Sequence, residues 1–352
     1  MRILVTGHLG YIGTVLTPML LRSGHDVVGL DTDLYGRCTY GDPVSIPYVP
    51  TMHADIRDID LDDLRGFDAV AHLAALSNDP LGDFRPPLTD IINHRAAVEL
   101  ARCAKAAGVR RFVFSSTCSN YGAGGEGWLD EDAPFNPVTP YGRAKVQAEQ
   151  SIRALADDSF TPVILRSATA FGFSPRIRFD LVVNNLVAWA YSTGHVRLKS
   201  DGRSWRPVVH VEDIARAFKA VLEAPREQVH DEAFNVGRTD QNFRVRDIAE
   251  MIAQVVPDCD VTFAESARSD PRCYRVCCDK LPQRVPAFEA QWDVVAGARQ
   301  LYEIFRAYGI TPESFEGCAY QRLAHLKQRL DDGEIDEAFR LVERFPRVGA
   351  MA

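Results

Sequence analysis

The stretch "VTGHLGYIG", Val5 to Gly13, decides how the chain begins. Ahead of it "RILVT" (2–6) is a short β-rich run, and the residues after it read as a helix near 11–23. Gly7, Gly10 and Gly13 therefore fall at G-x-x-G-x-x-G spacing between a strand and a helix. There the glycines permit a tight turn, a close approach of backbone to a pyrophosphate, and close helix–strand packing, while the helix N-terminus offers N–H donors to the anion. Three glycines elsewhere in a chain say little; their place between strand and helix makes the pattern specific.

Moving outward, the second strand candidate "DVVGL" (26–30) ends at Asp31, 18 residues after Gly13. A carboxylate at this point accepts hydrogen bonds from adenosine ribose hydroxyls and repels a 2′-phosphate, which favours NAD over NADP. Further strand candidates "DAVAHLA" (68–74), "RFVFSS" (111–116) and "PVILRS" (162–167) alternate with helical patterns near 88–107 and 140–156. Parallel strands need crossover connections, so the alternation predicts an α/β fold, a Rossmann-type doubly wound parallel sheet with helices on both faces. The strands are continuous apolar runs, as expected where both faces are covered. After about 167 the rhythm breaks, and a strand–helix pair returns at "RPVVHVEDIARAFKAVLEA" (206–224), with Asp213 as a candidate helix cap. The expected division is a dinucleotide-binding domain over 1–166, rejoined by 206–237. A smaller interleaved substrate-binding lobe takes 167–205 and 238–330, and a C-terminal helical tail takes 331–352.

The 352 residues exceed the size at which one hydrophobic core stops growing, consistent with a main domain and a lobe. Hydrophobic residues at 46% and charged residues at 25% are ordinary globular values, which exclude a disordered or fibrous chain. Lys plus Arg is 40 against 48 Asp plus Glu, a net charge of -8 with no basic block, so no nucleic-acid partner is expected. No apolar run approaches the roughly 18 residues of a membrane span, and "MRILVTG" enters a strand at once, so the expectation is a cytoplasmic protein without a membrane partner. Eight cysteines scattered through a long chain favour reduced thiols. The one cluster, "CYRVCC" (273–278), lacks paired C-x-x-C knuckles and histidines, so it reads as a strand, and no metal is expected.

A second decisive stretch is "VTPYGRAKVQAEQ" (138–150). Thr139 is a candidate N-cap and Pro140 a natural first helical residue. Tyr141 and Lys145 then lie one turn apart on the same helical face. A free phenol, with a pKa of about 10, is too weakly acidic to serve as a base at neutral pH, and a neighbouring cation draws that value down. Such spacing is common on solvated helices and carries weight only with the glycine loop.

With these motifs in order, the chain resembles the extended short-chain dehydrogenase/reductase family, and within it the NAD-dependent nucleotide-sugar epimerases and dehydratases. The similarity runs from residue 1 to about 310 through "TGHLGYIG", Asp31, "ADIRD" (54–58), "HLAA" (72–75), Asn93, "VFSST" (113–117), "YGRAK" (141–145), "RPVVHVEDIARA" (206–217) and "FNVG" (234–237). The resemblance implies NAD as cofactor, held by Gly7, Gly10, Tyr11, Ile12, Gly13 and Asp31. Asp55 and Ile56 would border the adenine and Leu73, Ala74 and Ala75 run along the dinucleotide, with Asn93, Ser115, Tyr141 and Lys145 completing the set. It implies Thr117, Tyr141 and Lys145 as the catalytic trio. A nucleotide-sugar substrate would be met by Ser77, Thr117, Cys118, Ser119, Asn184, Arg206 and Arg272, arginine suiting phosphate because its fork donates two hydrogen bonds. It also implies a homodimer through the helices holding Asn93 and Tyr141.

The chain departs from the family pattern in three places. His8 stands where a small residue is more usual, and Thr169 replaces an asparagine of some relatives. Cys118 and Ser119 follow Thr117 where dehydratases carry Asp-Glu, the separate acid and base that water elimination needs. The expected reaction is therefore epimerisation, at C4 for preference. A 4,6- or 5,6-dehydratase with Cys118 as a working acid, a 4-ketoreductase and a non-catalytic NAD sensor stand as alternatives. The tail "LDDGEIDEAFRLVERFPRVGAMA" reads as a short amphipathic helix able to pack on a partner or on the lobe.

Overall fold

A computed structural model describes residues 1–42, 45–122, 124–125, 127–268 and 273–342. The apolar runs become the strands β1 (Arg2–Thr6), β2 (Asp26–Leu30), β3 (Thr51–Met52), β4 (Ala69–His72), β5 (Arg111–Thr117), β6 (Thr161–Ser167) and β7 (Glu232–Val236). All pair in parallel in the order β7-β6-β5-β4-β1-β2-β3. This is the expected doubly wound sheet. The chain reverses direction across the sheet between β1 and β4, and a ligand crevice opens at the carboxyl ends of such a pair.

Both faces of the sheet are covered. Ile3 and Val5 of β1 pack with Leu16 and Leu20 of α1 (Gly13–Arg22) and with Phe218 of the later helix Val211–Glu223. Leu4, between them, turns to the other face, against Leu100 of α2 (Ala97–Ala106) and Phe112 of β5. Each such side chain contributes about 1.5–3 kcal/mol when fully buried, which is why these strands read as unbroken apolar runs. In α3 (Pro140–Arg153) the Thr139 hydroxyl accepts a hydrogen bond from the Gly142 amide at 3.1 Å, with Pro140 at the first helical position.

Three expectations need correction. The strand Trp205–His210 does not rejoin the main sheet; it pairs with Thr169–Phe171 and Asn242–Arg244 in a separate three-stranded sheet. The edge beside β6 is taken by β7, so the helix Val211–Glu223 and β7 return to the dinucleotide domain, and Leu281, Val285 and Phe288, expected in the lobe, pack on its core as well. Asp213 does not cap that helix. His210 does, its Nδ1 accepting from the Glu212 amide, while Asp213 is buried and receives the amides of Gln291 and Trp292. The C-terminal helix runs Arg322–Asp331 and stops where the helical tail was expected to start, because Gly333 takes φ 68° and the chain then turns back in short hydrogen-bonded loops. Residues 343–352 of that expectation lie outside the described residues.

The second lobe has its own core, in which Phe171, Phe179, Leu186, Ile248 and Phe305 meet between the helices Val182–Thr193, Val245–Val255 and Val294–Tyr308. It faces the carboxyl ends of β5 and β6 and closes the crevice from above. Among the described residues no helix is long and apolar enough to cross a membrane.

Candidate active site

Two cavities lie end to end along the crevice and share a wall of Ile12, Leu73, Ala75, Ser77, Ala170 and Arg178. The smaller, about 180 Å³, is lined by the glycine loop, Tyr11, Asp31, Asp55, Ile56 and Ala74. The larger, about 590 Å³, is lined by Ser115, Thr117, Ser119, Tyr141, Lys145 and Arg206. Residues scattered through the first two-thirds of the sequence are thus brought to one continuous groove.

The smaller cavity fits a dinucleotide on the chemistry of its walls. Gly7 sits at φ 74°, and a Cβ there would lie 2.8 Å from the Ala74 nitrogen. A Cβ on Gly13 would lie 2.3 Å from the Gly7 carbonyl oxygen, so the helix start presses on the loop and only glycine fits. Gly10 meets only the Gly7 oxygen, at 3.1 Å, and leaves its outer side to the cavity. The Asp31 carboxylate accepts from the amides of Leu9, at 3.0 Å, and Asp33, at 2.8 Å. It locks the glycine loop to the end of β2, and burial raises its pKa against the pull of those amides. Asp55 is gripped by Arg57, whose Nε donates at 2.8 Å, so it presents a neutralised wall.

His8, unexplained by the sequence, has a packing role. Its ring occupies the space above Gly29, where a Cβ would come within 2.4 Å, and Nε2 lies 3.1 Å from the Thr51 hydroxyl. Burial lowers its pKa to about 4, which keeps it neutral.

In the larger cavity Tyr141 and Lys145 line the same wall, as their spacing requires. Lys145 is buried; its Nζ donates to the Ser115 carbonyl at 2.8 Å and lies 4.6 Å from the centre of the Phe114 ring. Burial brings its pKa down to about 7. Burial pushes the Tyr141 phenol well above 10, aided by Asp79, while Arg178 and a hydrogen bond with Thr117 pull it back. Thr117 is held by its own turn, its Oγ1 accepting from the Ser119 amide at 3.1 Å. Beneath that turn, Arg166 and Glu149 form a buried ion pair with Nε–Oε1 3.0 Å, and Ser116 donates to Glu149 at 2.9 Å. The pair is satisfied on all sides by Asn120, Tyr121 and the Glu131 carbonyl, the condition under which a buried ion pair is tolerated.

Three residues expected at the ligands lie elsewhere. Asn93 is buried in a π-helical turn, Ile91–Ala96, and both ends of its amide bind the Leu76 backbone, at 2.8 and 2.9 Å. It shapes the loop after β4 and does not reach either cavity. Cys118 is buried with Sγ turned to the Arg166 carbonyl at 3.1 Å, and burial raises its pKa far above the usual thiol value. Asn184 is buried too, receiving the Gly172 amide at 2.8 Å and donating to the Arg178 carbonyl at 3.0 Å; its neighbour Asn185 lines the cavity instead. Arg272 lies outside the described residues.

The motifs of the sequence do not point to Arg178, Asp180, Asp79 or Tyr35. Arg178 stands in the wall common to both cavities; its Nε and Nη2 reach the Asp180 carboxylate at 3.0 and 2.5 Å, and its Nη1 reaches Ser77 at 3.3 Å. Burial opposes the Asp180 carboxylate, but Arg178 outweighs it and lowers the pKa to about 2. A signal was present in "FSPRIRFD" (173–180), where two arginines and an aspartate interrupt residues that pack as core.

These walls, a glycine cradle for a diphosphate beside a Tyr–Lys–Thr cluster, define an NAD-dependent enzyme of the short-chain dehydrogenase/reductase type. The model of the NAD dependent epimerase/dehydratase family matches residues 3–237, and the chain belongs to that family. The UDP-glucose 4-epimerase of Mycolicibacterium smegmatis is 32% identical over 246 residues, which is 67% of this chain and 77% of that one. The UDP-glucuronic acid 4-epimerase of Bacillus cereus, solved with UDP-glucuronic acid and NAD, superposes with TM-score 0.73 at 25% identity, covering 87% of this chain and 99% of that one. The dTDP-glucose 4,6-dehydratase of Streptomyces venezuelae, solved with NAD, gives TM-score 0.75 at 25% identity over 87% and 97%.

Proposed function

We propose that this enzyme is a nucleotide-diphosphate-sugar 4-epimerase. The observation that carries the reading is the convergence of Thr117, Tyr141 and Lys145 on one cavity that abuts the glycine cradle. NAD, when bound, supplies a hydride acceptor that later gives the hydride back. Tyr141, as phenolate, takes the proton from the sugar's 4-hydroxyl and returns it to the same oxygen after the sugar has turned over. Lys145 supplies positive charge that favours the phenolate, and Thr117 holds the reacting oxygen against Tyr141. Arg178 adds its own positive charge, which offsets part of the rise that burial imposes on the phenol's pKa. Ser77, Ser119, Asn185 and Arg206 line the part of the cavity that would take sugar and diphosphate.

Elimination of water asks for an additional acid near the sugar. Cys118 is the residue in place of the dehydratase acid, and its buried, high-pKa thiol bonded to a backbone carbonyl is unsuited to that work. This supports epimerisation over dehydration. The test is incubation with a panel of UDP-, dTDP-, GDP- and CDP-hexoses followed by NMR. Interconversion of C4 epimers without loss of water is the expected result; loss of water with solvent deuterium at C5 or C6 selects the dehydratase.

A homodimer through the helices holding Asn93 and Tyr141 belongs to the same reading, and sedimentation velocity reading a monomer would count against it. A cytoplasmic location accords with the eight cysteines, all free thiols in the structure.

A further inference from the structure

The C-terminal segment 322–342 lies beyond the 3–237 that the family model matches, yet it walls the smaller cavity. Arg322 and Phe339 are both on the lining, and both are almost wholly buried, at 3% and 1% exposure. The Arg322 guanidinium lies 4.3 Å from the centre of the Tyr35 ring, on the loop that follows Asp31. Its Nη2 donates to the Arg176 carbonyl at 2.9 Å, whereas Nη1 is buried with no hydrogen-bond partner among the described residues. The Cys38 thiol beside it is a weak acceptor. A buried guanidinium nitrogen left without an oxygen acceptor is costly unless something else fills the place. The Tyr35 hydroxyl, lining the same cavity, is buried and has no partner among the described residues either.

The rest of the segment is tied to two residues of the cavity wall, Leu34 and Arg57, and to Asp58 and Arg85 outside it. Arg329 donates to the Leu34 carbonyl at 2.7 Å. Arg57, which grips Asp55, donates to the Ala338 carbonyl at 2.9 Å, and Arg340 pairs with Asp58, one contact being 2.8 Å. Arg85 pairs with Glu337. Between these ties Phe339 takes φ 57°, a conformation that side chains other than glycine hold only when their surroundings fix it, and its ring stacks on Phe84 at 12° between planes.

We propose that this segment is a built-in part of the cofactor site: Arg322, with Tyr35, binds an oxygen of the NAD diphosphate, and Phe339 closes the adenosine end so that NAD stays bound through many turnovers. The chemistry follows from the groups present. A dinucleotide diphosphate supplies the acceptor that Nη1 lacks, and an apolar wall across the adenosine end removes the direct route of escape. An enzyme that must return a hydride to the same sugar gains from a cofactor that does not leave.

The full chain is purified with its NAD, and both the NAD released on denaturation and the rate of exchange with labelled NAD are measured. For Arg322→Met, loss of one charge-assisted hydrogen bond should speed exchange or weaken NAD about ten- to a hundredfold. ADP-ribose binding should weaken in parallel, and adenosine binding should not. For Phe339→Ala, adenosine binding should weaken too. Arg340→Ala breaks only the surface tie to Asp58 and keeps the test valid should the buried variants fold poorly; it should speed exchange while leaving the melting temperature within a few degrees. Unchanged NAD content and exchange in Arg340→Ala and in folded Arg322→Met would overturn the proposal. A wild-type chain that bound no NAD in this assay would instead overturn the cofactor assignment itself.

Discussion

Replacing Lys145 by Met should make the folded protein more stable at acid and neutral pH while it removes most of the activity. The ammonium is buried on a carbonyl and an aromatic ring, and burial brings its pKa from 10.5 to about 7. In the unfolded chain the same group keeps its ordinary value. Between these two values the unfolded state binds more protons than the folded one, so stability rises with pH across that window. Below pH 7 the penalty is complete; at about 1.4 kcal/mol for each tenfold change in the protonation equilibrium it comes to at most about 5 kcal/mol. Methionine removes the charge at similar volume but leaves the Ser115 carbonyl without its donor, which costs about 1–3 kcal/mol. The net expectation is a variant about 2–4 kcal/mol more stable at pH 6, with the gap closing as the pH rises above 7 and reversing by about pH 10, where only the lost hydrogen bond remains. Thermal unfolding of both proteins at a series of pH values reads this directly, and turnover on the nucleotide sugar should fall by about a hundredfold or more as the phenolate loses its cation. A variant less stable than wild type at pH 6, or a difference that ignores pH, would refute the assignment of a strained, buried cation.

Other variants probe other links. Gly13→Ala places a Cβ 2.3 Å from the Gly7 oxygen and should abolish NAD retention, read by the absorbance and nucleotide content of the purified protein, with a folded lobe by circular dichroism. Asn184→Ala removes the bonds to Gly172 and Arg178 and should cost about 2–4 kcal/mol in urea unfolding. Asn185→Ala should instead raise KM, at a stability cost of about 1 kcal/mol for its lost bond to Glu316, since the residue lines the cavity. Cys118→Ala should leave kcat within about threefold, because the thiol faces the core and not the substrate; a loss of a hundredfold would favour the dehydratase alternative, in which Cys118 is the working acid.

The parts of this molecule legible from the sequence are those fixed by local rules. Val5 to Gly13 announced strand, turn and helix because only glycine satisfies the contacts of residues 7 and 13, and the Thr139–Pro140 pair marked the start of the helix carrying Tyr141 and Lys145. What stayed hidden depends on which way a side chain turns. Asn184 and Asn185 are adjacent and chemically identical, yet a rotation of about 100° along the helix sends one to the loop and the other to the cavity. Cys118 next to Thr117 differs in the same way at the end of a strand, where successive side chains point to opposite sides. Long-range partners escaped entirely: Arg322 meets Tyr35 across 287 positions, a pairing without any periodicity or spacing to betray it. Trp205–His210 has a strand's pattern, but the sheet it enters rests on long-range pairing: it lies beside Thr169–Phe171, while β7 holds the edge beside β6.

The most direct examination of the reaction uses a nucleotide hexose carrying deuterium at C4, turned over in ordinary water. A hydride that leaves for the bound nicotinamide and returns to the same sugar keeps its label, so the product epimer should carry deuterium at C4 in full, and Tyr141→Phe should give no product. Product formed with its C4 label washed out to solvent would contradict hydride return and, with it, the roles given to Tyr141 and Lys145.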